Sequence, residues 1–195
     1  MHAPRQPYFD LVCHILRYLK EVPNRSLLYR SSSSLFVTTF SDADWVGSRT
    51  DRHTTFGYST FFGSNLVTWH SEKQLVVVHS SAEAEYHAIA HSTSKMLWVC
   101  SLLQDFSIGA PTPMPMCCDN QAAVFIATNP VFHERTKHTE VDCHFIQNLL
   151  LRKQLVTPFV HSDDQSSDIL TTPLAPSSFQ RLSTKLGMLD LFVSA

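Results

Sequence analysis

Several features that define other classes of protein are absent from this chain of 195 residues. No apolar run reaches the length of about 18 residues that a helix needs to cross a bilayer. The first residues, MHAPRQPYFD, lack the basic and apolar regions of a secretory signal. These absences predict an intracellular, soluble protein with no membrane partner.

The cysteines argue against a disulfide-stabilised protein, and the net charge argues against a free-standing nucleic-acid-binding protein. The five cysteines form no Cys-x-x-Cys pair, and their odd number suits reduced core thiols better than a disulfide framework. Cys117 and Cys118 are interpreted as strand residues and not as metal ligands. The formal net charge of -2 gives no global basic field, so affinity for nucleic acid must come from local patches or from a neighbouring domain. With 44% apolar residues, the chain can bury the core of one compact domain plus an appendage.

A strand pattern dominates the sequence between residues 35 and 80. Residues 35–42, 57–62 and 66–69 are rich in β-branched and aromatic side chains, and residues 76–78 continue the pattern. Gly63-Ser64-Asn65 supplies a tight turn. An antiparallel meander is therefore expected here.

Four acidic residues stand where predicted elements begin or end. They are Asp42 in FSDADWVG, Glu85 in SSAEAEYHAIA, Asp119 after the strand MPMCC, and Asp168 in SSDIL. Two of them also have a simpler interpretation: Asp42 suits a turn, and Glu85 suits the first turns of a helix expected to run to about Asp105. A helix is expected at 120–127, and the last strand at 155–160, interrupted by Pro158.

Four carboxylates that converge from separate elements would repel one another unless cations neutralised them. Hard oxygen ligands suit Mg²⁺ or Mn²⁺, and a pair of such ions serves phosphoryl transfer. The sequence therefore predicts that Asp42, Glu85, Asp119 and Asp168 share a site for two divalent ions.

A family resemblance supports the same site. The blocks SDADWVGSRTDRHTTFGYSTFFG, LVTWHSEKQ, SSAEAEYHAIA, CCDNQAAVFIATNPVFHERTKHTEVDCHFI and DILTTPL resemble the ribonuclease H region of a copia-type retrotransposon Pol polyprotein. The similarity runs from about the first residue to about the last, with the same order and spacing of blocks. It implies an α/β, ribonuclease H-like fold: a five-stranded mixed sheet, its first three strands antiparallel, flanked by helices. It also implies metal-dependent endonucleolytic cleavage of the RNA strand of RNA/DNA hybrids, with the four acids as catalytic residues and metal ligands.

The resemblance also suggests roles for other side chains. Glu85 is preferred to Glu83 because the family pattern places its Glu before a bulky apolar residue and three before a small one. His161, which precedes the last acid, is a possible auxiliary group in proton transfer or product release. Three basic residues are expected to contact nucleic-acid phosphates: Lys73, Arg135 and Lys137.

The run from Arg135 to His144 has a second interpretation. His138 with Asp142, and Glu140 with His144, have the i, i+4 spacing of a zinc site on a helix. The two pairs face different directions, so solvated charge and local pairing are favoured over zinc.

The first 30 residues resemble the tail of the reverse transcriptase, with a helix at 7–22. Residues 1–30 are thus expected to form a helical leader and residues 31–195 the ribonuclease H-like domain. Met1 is expected to lie inside a longer reading frame. The expected partners are an RNA/DNA hybrid and the reverse transcriptase domain of the same polyprotein, in a cytoplasmic virus-like particle or the nucleus if the element is active.

Departures from the family pattern support an alternative, a drifted and inactive fragment that keeps only the fold and the nucleic-acid contacts. Ser167 precedes the last acid where the family usually has Ala, and Thr172 replaces a Lys. Glu72 and Lys95 are departures of the same kind.

Overall fold

A five-stranded mixed sheet lies at the centre of the structure, a computed structural model. It describes residues 5–21, 23–31, 34–47, 53–74, 78–129 and 140–191. The strands are β1 (Arg25–Leu27), β2 (Val37–Asp44), β3 (Thr55–Phe62), β4 (Asn65–Lys73), β5 (Met114–Cys117), β6 (Leu155–Val156) and β7 (Met188–Asp190). The helices are α1 (Gln6–Glu21), α2 (Ser81–Asp105), α3 (Gln121–Thr128), α4 (Glu140–Leu151), α5 (Asp168–Thr171) and α6 (Pro176–Lys185). The order of strands in the sheet is β4-β3-β2-β5-β6.

The predicted antiparallel meander consists of β2, β3 and β4. Gly63, with a φ of 63°, occupies the short turn between β3 and β4, a backbone conformation that favours glycine. Strand β2 extends to Asp44, which pairs with Thr55, so Asp42 lies within the strand and not at its end. The predicted continuation at 76–78 cannot be compared, because residues 75–77 lie outside the described residues.

The other half of the sheet is parallel. Strand β5 pairs with β2, and β6 pairs with β5. Parallel neighbours need a crossover, and α2 lies in the segment that connects the β2-β3-β4 meander to β5. Only Leu155 and Val156 form a regular β6, because Pro158 interrupts the predicted longer strand; Phe159 resumes the pairing as a single bridge to Cys118. The predicted mixed sheet of five strands is confirmed.

The main core lies between the sheet and helices α2, α3 and α4. Its fully buried members include Tyr86, Ile89 and Met96 of α2, Met116 of β5 and Ile146 of α4. Ala88, Ala90, Ser92 and Thr93 of α2 are also buried, whereas His91, Ser94 and Lys95 are exposed, as expected for a helix that covers one face of a sheet. Packing of α2 on β2 brings its first turns close to the strand that carries Asp42.

The N-terminal segment contacts the C-terminal one. Strand β1 pairs antiparallel with β7 in a separate two-stranded sheet, and the Tyr18 ring meets the Phe179 ring edge-on at 6.4 Å. The division at residue 30 stays a prediction, although β1 belongs to the predicted leader and pairs with the end of the chain. Large apolar side chains of α1 are exposed: Tyr8, Phe9, Leu11, Val12, Ile15, Leu16, Tyr18 and Leu19. Among the described helices, none is both long enough and apolar enough to cross a membrane.

Candidate active site

The four predicted acids lie on four different elements that meet beside the central strand β2. Asp42 lies on β2, Glu85 in the second turn of α2, Asp119 just after β5, and Asp168 at the start of α5. Carboxylate oxygens of Asp42, Asp119 and Asp168 lie within 4.8 Å of one another. Ligand atoms of Glu85, Cys118 and Asp119 form a second group within the same distance. Asp119 belongs to both groups, so the four carboxylates form one cluster.

Burial and mutual repulsion keep protons on this cluster. Burial and the nearby charge of Asp119 raise the pKa of Asp42 to about 6, against the opposing hydrogen bond from Thr171. Burial and then the charges of Asp42 and Asp119 raise the pKa of Glu85 to about 9. The same causes raise the pKa of Asp168 to about 8. At neutral pH the cluster therefore retains protons, because these carboxylates cannot all ionise together in a buried site.

Glu83 and Glu85 occupy different environments. The Ser80 side chain caps α2 by accepting from the Glu83 N–H at 3.2 Å, and Glu83 Oε2 accepts from the His79 N–H at 2.7 Å. The arrangement resembles a capping box, except that Glu83 accepts from the residue before the N-cap. Glu85, 5% exposed, instead points into the cluster, where its carboxyl group hydrogen-bonds to Asp42.

The C-terminal segment holds two of the acids in place. The Thr171 hydroxyl donates to Asp42. Ser162 Oγ donates to Asp119 Oδ2 at 2.6 Å, and Gln165 Nε2 lies 3.4 Å from Asp119 Oδ1. These residues lie more than 40 positions from their partners in the sequence, and none belongs to a pattern that suggested a role.

Gly57 allows α5 to approach the sheet. It pairs with Asp42 across β2 and β3. A Cβ atom at Gly57 would lie 2.9 Å from Leu170 Cβ, closer than Cβ contacts in proteins, and a tight 3.1 Å from the His70 carbonyl oxygen. Any larger residue would push α5, and with it Asp168, away from Asp42.

Gln165 connects the loop before Asp168 to the sheet. Its side chain is fully buried; Nε2 donates to the Ser41 carbonyl at 2.9 Å, and Oε1 accepts from the Ser167 N–H at 3.4 Å. No sequence pattern pointed to Gln165. A glutamine between two acids and two serines resembles an ordinary polar loop, so the sequence offered no signal for it.

Replacing Gln165 by Met is expected to lower the free energy of unfolding by about 1–3 kcal/mol, because buried backbone groups lose their hydrogen-bond partners at nearly constant side-chain volume. Thermal unfolding would show this as a fall in Tm of about 2–4 °C per kcal/mol. Gln104→Met, at an exposed position of α2, is the matched control and should leave Tm unchanged. Equal Tm values for the two variants would contradict the role given to Gln165.

Cys118 lies against the acid cluster and is completely buried. Its Sγ lies 3.7 Å from Glu85 Oε2 and 3.3 Å from the Asn120 nitrogen. Burial and the charge of Glu85 raise the pKa of the Cys118 thiol, so the sulfur stays protonated. A protonated thiol is a poor ligand, which leaves the carboxylates as the donors for an ion.

The remaining predicted residues lie around the site or outside the described residues. His161 is exposed, packs its ring against Phe159 at 5.5 Å, and directly precedes the Ser162 that binds Asp119. Its role in turnover stays a prediction. Lys73 is exposed at the end of β4. Arg135 and Lys137 lie outside the described residues.

The cluster fits a hard divalent cation. Its donors are carboxylate oxygens, the ligands that Mg²⁺ and Mn²⁺ prefer. Asp168 Oδ1 is buried and has no hydrogen-bond partner in the described part of the chain. Such an atom is costly in the absence of an ion, and a bound cation would satisfy it.

The amino-acid sequence of this chain is similar to those of known transposon polyproteins. No protein-family model matches the chain. Over 188 residues, or 96% of its length, the chain is 39% identical to the retrovirus-related Pol polyprotein from transposon RE1 of Arabidopsis thaliana. The chain is a homologue of copia-type retrotransposon Pol polyproteins. It spans 13% of the length of that relative, which therefore contains much more than this segment.

Two solved structures resemble this Pol homologue in backbone fold. The foamy viral protease-reverse transcriptase in complex with an RNA/DNA hybrid aligns with a TM-score of 0.51 and 10% identity, over 80% of this chain and 22% of that chain. The N-terminal RNase H domain of a Mycobacterium tuberculosis protein aligns with a TM-score of 0.48 and 13% identity, over 77% of this chain and 98% of that chain. The Pol homologue has the ribonuclease H-like α/β fold, with the mixed sheet and helices described above.

Proposed function

We propose that this Pol homologue hydrolyses the RNA strand of RNA/DNA hybrids, as the ribonuclease H part of a retrotransposon reverse transcriptase polyprotein. The observation that carries the proposal is the convergence of Asp42, Glu85, Asp119 and Asp168 from four elements. Buried carboxylates with raised pKa values are unfavourable for stability, and such clusters are typical of functional sites.

The four carboxylates would hold two Mg²⁺ or Mn²⁺ ions. When bound, the ions supply the Lewis acidity that phosphodiester hydrolysis requires. The protein holds the ligands ready: Thr171 orients Asp42, and Ser162 with Gln165 orients Asp119. Holding ligands in fixed positions reduces the reorganisation needed during the reaction.

The surface around the cluster would bind the hybrid and the rest of the polyprotein. Contacts to 2′-hydroxyl groups across the minor groove would discriminate RNA from DNA, and Lys73, Arg135 and Lys137 would contact phosphates. The exposed apolar side chains of α1 support packing against the reverse transcriptase part, because contiguous apolar surface is characteristic of protein interfaces.

Two neighbouring glutamates provide a matched test of the site. Glu85→Gln is expected to lower the rate of hybrid cleavage by about 100-fold, since it removes a charge that stabilises the transition state through bound ions. Glu83→Gln should keep the rate, because glutamine can still accept from the His79 N–H at the start of α2. The measurement is Mg²⁺-dependent cleavage of a labelled RNA/DNA hybrid, with the DNA/DNA duplex as the substrate control.

The cleavage rates of the two variants and of the wild-type chain distinguish the possible assignments. A large loss in Glu83→Gln with a normal Glu85→Gln would contradict the assignment of Glu85. A wild-type chain that is folded and binds Mg²⁺ but does not cleave the hybrid would favour the alternative of a drifted, inactive copy.

A further inference from the structure

A second group of ionisable side chains surrounds a cavity of about 420 Å³. The cavity lies between the end of β4 and helices α2 and α4. Its lining includes His87 and His91 of α2, Glu72 of β4 and Asp142 of α4. The described lining includes no acid of the candidate active site. The chemistry of this cavity is therefore separate from the proposed nuclease function and does not rest on it.

His87 is held in one orientation by Asp142. The distance from His87 Nδ1 to Asp142 Oδ2 is 2.7 Å, and because a carboxylate accepts, Nδ1 carries the hydrogen. His87 Nε2 is buried and has no hydrogen-bond partner among the described residues. Histidines that bind metals characteristically donate the other ring N–H to a carboxylate, which fixes the tautomer and leaves the opposite lone pair for the ion. His87 has this arrangement.

His91 offers a second imidazole on the same side of α2. It follows His87 by four residues, and two histidines at i and i+4 share a helix face, as in known helical zinc sites. Burial and then the charges of Lys95 and His70 lower the pKa of His91. A neutral ring is the form that binds metals.

Glu72 adds a carboxylate to the lining of the cavity, and the negative and positive charges around the cavity are equal in number. Glu72 and Asp142 carry negative charge, whereas Lys73 also lines the cavity and Lys95 lies one turn after His91. Within the described ranges, the only groups of three such ligand atoms within 4.8 Å are the two at the acidic cluster. Glu72 Oε2 pairs with His70 Nε2 at 2.9 Å, and the His91 ring packs against the Phe56 ring at 4.8 Å. Both side chains are exposed, and both must rotate from these partners toward the fixed Nε2 of His87 to complete the site.

We propose that His87 and His91 bind a divalent transition-metal ion, with Glu72 as the third ligand. Asp142 is a positioning residue that orients the His87 ring. Imidazole ligands favour Zn²⁺, Ni²⁺ and Cu²⁺, whereas the all-carboxylate cluster favours Mg²⁺ and Mn²⁺. The chain therefore has two metal sites of different ligand type.

The test is a titration of the full chain with Zn²⁺, carried out with and without excess Mg²⁺ as a competitor for the carboxylate cluster. Calorimetry reports affinity, and histidine side-chain NMR reports which rings respond. The His87 and His91 resonances should shift together, and His87→Gln or His91→Gln should each abolish the site. Asp142→Asn should weaken Zn²⁺ binding by about 10–100-fold. His14→Gln, on α1, is the matched control and should leave the affinity unchanged.

Three results would overturn the proposal. One is the absence of a Zn²⁺ response at the two rings in the folded wild-type chain. Another is a Zn²⁺ affinity that neither His87→Gln nor His91→Gln alters; His91 is exposed, so its variant keeps the test possible even if His87→Gln does not fold. The third is a shift of both rings with inorganic phosphate but not with Zn²⁺, which would identify an anion site.

Discussion

Replacing Asp42 by Asn is expected to lower the rate of hybrid cleavage by about 10³-fold and to stabilise the metal-free protein. Asp42 is central to the cluster: it hydrogen-bonds to Glu85 and lies within 4.8 Å of oxygens of Asp119 and Asp168. Loss of its charge removes a metal ligand, and electrostatic contributions of this kind reach about 10²–10³-fold. The same change relieves repulsion among buried carboxylates, which should increase stability by roughly 1 kcal/mol, or about 2–4 °C in Tm.

The expected fall in activity together with a rise in stability distinguishes the loss of a metal ligand from misfolding. A variant that is inactive because it is misfolded would lose stability as well as activity. Asp163→Asn is the control: Asp163 is an exposed acid whose Arg181 ion pair, at 2.7 Å, is of the solvent-exposed kind that contributes little. It should retain both activity and Tm. An Asp42→Asn variant that cleaves hybrid at the wild-type rate would refute the proposed site.

Without metal, the free energy of unfolding is expected to fall by several kcal/mol as pH rises from about 4 to about 9. An acid whose pKa is higher in the folded state binds protons more strongly there, so its stability contribution is complete below the unfolded pKa and is lost as pH rises through the folded one. The folded values of about 6 for Asp42, 8 for Asp168 and 9 for Glu85 set this window. The measurement is denaturant unfolding in chelator across that range.

Mg²⁺ should reverse this trend, because a cation favours the ionised carboxylates and binding to the folded state adds stability. Mg²⁺ affinity should therefore increase with pH over the same window. Glu85→Gln should flatten the metal-free pH dependence, since Glu85 has the largest increase in pKa among the clustered acids. Metal-free stability that is independent of pH, or Mg²⁺ affinity that does not respond to it, would contradict a clustered site.

Much of the fold was predictable because its signals are local. The strand-rich stretch between residues 35 and 80, the tight turn at Gly63 and the long helix ending at Asp105 all follow from side-chain periodicity and turn chemistry. The predicted ends of the strands were less accurate than the predicted positions of the elements. Strand β2 continues two residues past Asp42, and β6 is shorter than expected, since pairing with neighbouring strands decides where a strand ends.

The C-terminal segment was the least predictable. The sequence indicated that Asp168 stands at the start or end of an element, but not that Gln165 would bind the Ser41 carbonyl or that Thr171 would bind Asp42. No sequence pattern indicated the pairing of β1 with β7 either. These contacts join residues more than 100 positions apart, and no periodicity within one element reports on such distant pairs.

The sequence by itself determined the meander, the long helix and the four candidate acids, because these depend on local side-chain patterns and on blocks shared with Pol polyproteins. Only the tertiary structure decided which carboxylates come together, that Glu83 caps α2 while Glu85 enters the cluster, and that His87 faces Asp142 of another helix. The physical reason is that burial, repulsion and hydrogen bonding depend on distances between elements, and packing of the helices on the sheet sets those distances.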